Sequence, residues 1–277
     1  MELGIFAKTF KRSGVREVFA AVISHKIHSV QFNFSVAGLP TLPEKIDIAL
    51  SREIALETLK HQVKIAAISG TFNMIDPDVS KRKTGLKNLQ ELANACRLIN
   101  VPVITLCTGT CDPKNMWQGH PDNNLAQTWL ELTKMVGKAL EMTENSGVIL
   151  AMEPELNNVV NSAEKAYRLL QEMQSSRLRI VMDGANLIER DQISQMREIL
   201  THAFDLLGDK IILAHAKEIP VEEHSGYEAM GQGLLDFDFY LRLFKKYQFR
   251  GSLILHGVDE TQVEPSLKFI RQRLESY

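Results

Sequence analysis

The chain has 277 residues, 44% of them hydrophobic, and a formal net charge of -2. With Lys and Arg scattered along it there is no electrostatic footprint for a phosphate backbone, which argues against nucleic acid as a partner. Cys96, Cys107 and Cys111 form no C-x-x-C pair, which argues against a disulfide framework or a thiolate zinc site and fits a reducing cytoplasm.

The N-terminal MELGIFAKTF lacks the pattern of an export leader. No apolar run approaches the roughly 20 residues needed to span a bilayer, so a cytoplasmic location without a membrane partner is expected. The length allows two average domains, although an α/β barrel uses about 250 residues as one.

Taken in chain order, short runs rich in Val, Ile and Leu alternate with amphipathic stretches eight times. LGIFAK (3–8) precedes a helical pattern at 15–25, SVQFNF (29–34) one at 48–62, and VKIAAISG (63–70) one at 86–99. VPVITLCTG (101–109) precedes a helix at 126–145, GVILAMEPE (147–155) one at 162–173, and LRIVMDGAN (178–186) one at 193–207. KIILAHAKE (210–218) and GSLILHGV (251–258) precede helices at 237–247 and 263–276.

Eight strand–helix units without a Pro- or Gly-rich linker predict one (β/α)8 TIM barrel over residues 1–277. An open doubly wound sheet is the alternative, but its Gly-rich phosphate turn is missing. The one long irregular stretch, TGTCDPKNMWQGHPDNN (108–124), follows the fourth strand and is expected to cover or line a site.

In such a barrel the chemistry comes from the C-terminal ends of the strands. Here the fifth strand ends in Glu153 and Glu155, the sixth in Asp183 with Asn186 beyond it, the seventh in His215, Lys217 and Glu218, and the eighth in His256. Side chains alternate along a strand, so Glu153 and Glu155 share a face, as do His215 and Lys217. A carboxylate turned into a barrel without compensation costs several kcal/mol. Four successive strand ends offering Glu153, Asp183, His215 and His256 therefore look like ligands to one divalent metal ion. Mixed oxygen and nitrogen ligation suits Mn, Zn, Co or Fe, and Mg less well.

The pieces AMEPE, VMDGANL, LAHAKE, GQGLLDF and LILHG give the whole chain a pattern that resembles the xylose-isomerase-like barrels. That group includes sugar phosphate isomerases, epimerases and endonuclease-IV-like proteins. The resemblance implies that Glu153, Asp183 and His215 hold a divalent cation together with an eighth-strand residue. It also implies proton transfer at a carbon next to the carbonyl of a small sugar, sugar phosphate or polyol, and self-association into a homo-oligomer.

Two positions depart from the pattern. His256 stands where the sugar epimerases have a second Glu, and Asn186 where many members have a substrate-binding His. His256 is then a fourth ligand with Glu153 or Glu155 as the carboxylate base, or Lys217 is the second proton-transfer group, or the reaction is a one-base isomerisation or a dehydration. A dehydratase or lyase on a cyclic polyol or keto acid, and a binding protein that has lost catalysis, are the competing functions. Too few histidines end strands to hold the three-metal cluster of an endonuclease-IV-like hydrolase.

Around this core, Lys8, Gln31, Asn33, Asn73 and Asn186 are candidate substrate-binding groups at the rim, and Trp117 and His120 in the long loop could wall off a pocket. His224, after the seventh strand, is a further candidate for reaching the site. The glycines of GQGLLDF read as a tight turn, since the third glycine of a nucleotide loop is absent.

Overall fold

A computed structural model of the chain describes residues 1–222 and 226–275. Eight parallel strands close in chain order: β1 (Glu2–Phe6), β2 (Ser29–Phe32), β3 (Lys64–Ser69), β4 (Val103–Leu106), β5 (Ile149–Met152), β6 (Leu178–Asp183), β7 (Ile211–Ala216) and β8 (Ser252–Leu255). The helices outside are α1 (Val15–Ser24), α2 (Ile48–His61), α3 (Val79–Ile99), α4 (Ala126–Met142), α5 (Ala163–Met173), α6 (Met196–Leu207), α7 (Phe237–Lys246) and α8 (Glu260–Glu275). This is the (β/α)8 TIM barrel predicted from the alternation. Among the described residues no helix is long and apolar enough to cross a membrane.

Two apolar cores result from the alternation of side chains along each strand. Ile5, Val30, Ile68, Ile104, Leu150 and Ile180 pack outward against the helices, whereas Phe6, Ala67, Val103, Ala151, Val181, Leu213 and Ile254 fill the barrel. The interior is tight enough to need a residue without a side chain on β1. A Cβ on Gly4 would lie 2.7 Å from Ile254 Cδ1 and 2.8 Å from the Ser29 carbonyl oxygen.

The strands are shorter than the apolar runs suggest, because the last residues of each run turn out of the ladder at the mouth. Glu153, Glu155, Asn186, Lys217, Glu218 and His256 all lie just past the end of a strand. Strict strand alternation therefore does not decide where Glu155 and Lys217 point; the turns do. Helix α3 starts seven residues before the pattern at 86–99, because Asp78 caps it by accepting from Ser80 N at 2.8 Å. The intervening SKRK run is polar and hides the period.

The packing generates a pair of stability changes of opposite sign. Gly4→Ala is expected to destabilise by about 1–3 kcal/mol through overpacking against backbone that cannot retreat. Gly137→Ala, inside α4 with nothing within 4 Å of the added methyl, is expected to stabilise by roughly 0.5–1 kcal/mol. Urea denaturation midpoints check both.

Candidate active site at the barrel mouth

The register of β6 and β7 pairs Asp183 with His215, so the two ligand types that the sequence places on successive strands become side-by-side neighbours. His215 is almost wholly buried, and its Nδ1 lies 3.2 Å from Asp183 Oδ2 and 3.3 Å from Glu153 Oε1. On the far side of the ring, Nε2 donates to Gln31 Oε1 at 2.9 Å, and Gln31 gives its own amide hydrogens to the hydroxyls of Ser69 (3.0 Å) and Thr105 (3.2 Å). Four strands are thereby tied to one imidazole.

That arrangement has a chemical consequence. With one hydrogen on Nε2, Nδ1 of a neutral ring is an acceptor facing two carboxylate oxygens, which leaves room for a second proton or a cation between them. The ring of His256 stacks on His215 with centroids 4.7 Å apart, and His256 Nδ1 is buried without a hydrogen-bond partner. Asp183, His215 and His256 each bring a ligand atom within 4.8 Å of one another, and Glu153 joins them through its contact with His215. A buried imidazole nitrogen without a partner among the described residues, on a ring that offers a ligand atom within 4.8 Å of Asp183 and His215, fits a divalent cation better than it fits an empty polar cluster.

The charges are arranged around this point. Burial works against an ionised Asp183, yet the Lys217 ammonium and the hydrogen bond from His215 hold its carboxyl well below the usual range. Burial likewise opposes a charged His215, but Glu153 and Asp183 outweigh it and push its pKa up to about 9. Burial, with the charges of His215 and Lys217, drives His256 well below the ordinary histidine value, so its ring is neutral and a competent ligand. Burial raises Glu155 to about 7 against the pull of Lys217, with Glu153 and Asp183 adding to the rise. Desolvation opposes the charge on Lys217, but Asp183, Glu155 and Glu153 keep it protonated. Its Nζ donates to Asn186 Oδ1 at 2.5 Å and lies 3.9 Å from Asp183, while Asn186 Nδ2 donates to Glu153 Oε1 at 2.8 Å. Asn186 is thus a relay between a cation and a carboxylate.

A cavity of about 500 Å³ opens over this cluster, lined by Glu153, Glu155, Asn186, His215, Lys217 and His256. Lys8, Gln31, Asn33 and Trp117 also border it. Gln31 is committed to His215, and Asn33 caps the turn after β2 by accepting from Ser35 N at 2.9 Å, so both first serve the protein itself.

Two rim candidates do not reach the cavity. The carboxamide of Asn73 accepts from Thr110 N (3.0 Å) and Ile75 N (3.1 Å) and donates to the Thr110 carbonyl (2.8 Å), latching the turn after β3 to the turn after β4. His120 caps the short 3-10 turn at Pro121–Asn124, its Nδ1 accepting from Asp122 N at 3.2 Å. Both side chains are occupied by backbone groups that loops leave unpaired. His224 lies outside the described residues.

The long loop does line the cavity, through Met116 and Trp117. Asn158 holds it there, accepting from Gly109 N at 2.6 Å and donating to the Met116 carbonyl at 3.1 Å. Glu218 is engaged away from the cluster of Asp183, His215 and His256. It accepts from Gly231 N (2.5 Å) and Leu235 N (3.2 Å), so the GQGLLDF loop wraps a carboxylate, and Gly231 with φ +86° makes the turn.

Several residues that shape the site carry no obvious sequence signal. Cys107 lines the cavity although its spacing reads as plain packing. Tyr240, fully buried on α7, accepts from Gly184 N at 3.1 Å and donates to the Met182 carbonyl at 3.0 Å, pinning the backbone on both sides of Asp183. A tyrosine on the apolar face of FDFYLRLF was the one available hint, since a buried hydroxyl has to find a partner.

A closed barrel whose mouth gathers two imidazoles, three carboxylates and an ammonium is the architecture of a (β/α)8 protein with a polar, metal-compatible centre. The profile of the xylose isomerase-like TIM barrel matches residues 19–273, and the chain belongs to that family. No curated protein sequence matches it.

Among solved structures it is similar to a D-tagatose 3-epimerase-like protein (TM-score 0.79, 13% identity, covering 99% of this chain and 97% of that one). It is also similar to 3-keto-D-glucoside 4-epimerase from E. coli (TM-score 0.74, 18% identity, 98% and 99%). A third is an IolI protein with a bound zinc atom (TM-score 0.71, 17% identity, 99% and 96%). At these identities the likeness establishes the shared fold.

Tyr240→Phe tests the pinning of the sixth strand. Leaving Gly184 N and the Met182 carbonyl without their shared hydroxyl is expected to cost about 1–3 kcal/mol in urea denaturation.

Proposed function

We propose that this chain is a metal-dependent isomerase or epimerase that moves a proton at a carbon next to the carbonyl of a small sugar, sugar phosphate or related polyol. The observation that carries the reading is the convergence of Glu153 and Asp183 on Nδ1 of His215, with the ring of His256 stacked against it, at the floor of a polar cavity. Family membership supports it, as do the sugar epimerases among the proteins of the same fold.

In this reading Glu153, Asp183, His215 and His256 hold one divalent cation, with Gln31 orienting His215 from behind. When bound, the cation polarises the substrate carbonyl and acidifies the neighbouring C–H. Glu155, the carboxylate that lines the cavity without belonging to the ligand set, takes that proton. Lys217 is kept charged by its carboxylate neighbours, so it stabilises developing negative charge on a substrate oxygen and does not serve as a base. His256 in place of a second carboxylate makes the arrangement asymmetric. One carboxylate is left for proton transfer on one face of the substrate, which favours a one-base isomerisation over a two-base epimerisation.

Elemental analysis of the purified protein is the first test. About one transition metal per chain is expected, with occupancy falling at least tenfold in Asp183→Ala and His215→Ala; a wild type that stays metal-free after incubation with Mn, Zn, Co or Mg sinks the reading. A panel of ketoses and aldoses in D2O, followed by mass spectrometry, then tests the chemistry. Glu155→Gln is expected to keep its metal and lose about 10²–10⁴-fold of the C–H exchange rate, the range of general-base catalysis.

A further inference from the structure

The metal-ligand cluster is acidic, yet one edge of the cavity is basic. Of the two lysines that line it, Lys217 is engaged by Asn186 and Asp183. Lys8 makes no ion pair among the described residues, and its Nζ rests over the ring of Phe6, 4.5 Å from the centroid. Lys8 also lines a second hollow of about 690 Å³, just outside the first, whose walls include Lys11, Arg12, Ser13 and Ser35. Among the described residues no carboxylate lines this hollow. Arg12 is held by the carboxylate of Glu260, donating to it through both terminal nitrogens, one at 2.9 Å. Among the described residues neither Lys8 nor Lys11 has a carboxylate partner, and Ser13 and Ser35 share the hollow with them.

We infer that this hollow takes an anionic group, a phosphate ester or a carboxylate, at the end of the substrate remote from the reacting carbon. The inference rests on the reading of the main cavity as a polyol site and narrows its substrate class to charged sugars. The spacing agrees. Lys8 Nζ lies 4.5 Å from the Phe6 ring centroid, and that ring lies 5.0 Å from the ring of His256, so the ammonium is within about 10 Å of the ligand cluster. An extended chain gains about 3.3–3.6 Å for every three bonds, so the carbon skeleton of a five- or six-carbon sugar with an ester oxygen covers that distance.

The chemistry of the walls also agrees. Two lysines and two serines among the lining residues bring cationic and hydroxyl donors and no acceptor charge, which is what a phosphate or carboxylate needs and what a neutral hydroxymethyl group does not. An acidic cavity alone would repel such an anion. A basic annex reached over Lys8 lets the charged end stay away from Glu153 and Glu155 while the polyol end enters.

Isothermal titration of the full chain with inorganic phosphate and, separately, with acetate tests this, using Lys8→Met, Lys11→Gln and, as a charge-matched control on α4, Lys138→Met. Saturable binding of one anion per chain is expected, weakened at least tenfold in Lys8→Met, weakened in Lys11→Gln and unchanged in Lys138→Met. Stronger phosphate binding assigns the hollow to a phosphate ester, and stronger acetate binding to a carboxylate. Absence of saturable binding by either anion, or equal losses in Lys8→Met and Lys138→Met, overturns the inference. The readout is anion binding and needs neither metal nor turnover, so its failure leaves the isomerase reading standing. A protein that binds the anion but lacks turnover separates the two in the other direction.

Discussion

An ionised carboxylate with almost no contact with water has to be compensated by its neighbours, and Asp183, about 1% exposed, imposes that requirement on the whole mouth of the barrel. Its oxygens are met by His215, by the Ala185 backbone N–H at 3.0 Å and, at longer range, by Lys217. His215 and Lys217 each bring a further demand. His215 needs Gln31, Gln31 is fixed by Ser69 and Thr105, and Lys217 needs Asn186, which leans on Glu153. The chain of partners passes through six strand ends, β2 to β7, and closes on itself where Glu153 meets His215. Removing a charged member strands the charge of its partner, and removing a neutral one leaves a buried polar group without its hydrogen bond.

The loops obey the same rule in a neutral form. Asn73, Asn123 and Asn158 spend their carboxamides on backbone groups of neighbouring loops, and Glu218 spends its carboxylate on the amides of GQGLLDF. These contacts do no chemistry, but they decide which residues face the cavity. Trp117 borders it because its loop is stapled through Met116, and His120 does not because it caps a turn. A polar residue at the rim is therefore as much a component of the wall as of the site.

His256 carries the asymmetry of the cluster. It stacks on His215 at the end of β8 and packs against Phe6 from β1, so the seam that closes the barrel also sets the ring. A neutral imidazole there offers a nitrogen to the cluster without the negative charge that a glutamate would add beside Glu153, Glu155 and Asp183. The basic hollow beyond Lys8 opens on this same side.

The sequence by itself determined the barrel, because eight alternations of apolar run and amphipathic stretch leave a parallel sheet covered by helices as the arrangement that buries both faces. It also determined the list of charged residues at the strand ends, since Glu153, Asp183, His215 and His256 stand out against the apolar runs they terminate. It did not show that the side chains of Asn73 and His120 bond loop backbone, and it carried little sign of the work done by Tyr240, Ser69 or Thr105. Those last roles depend on contacts between residues 38 to 74 positions apart, and on where each strand stops and its turn begins. Periodicity encodes the direction of a side chain within an element, while its partner across the barrel follows from strand register and the route of the loops, which only the tertiary structure fixes.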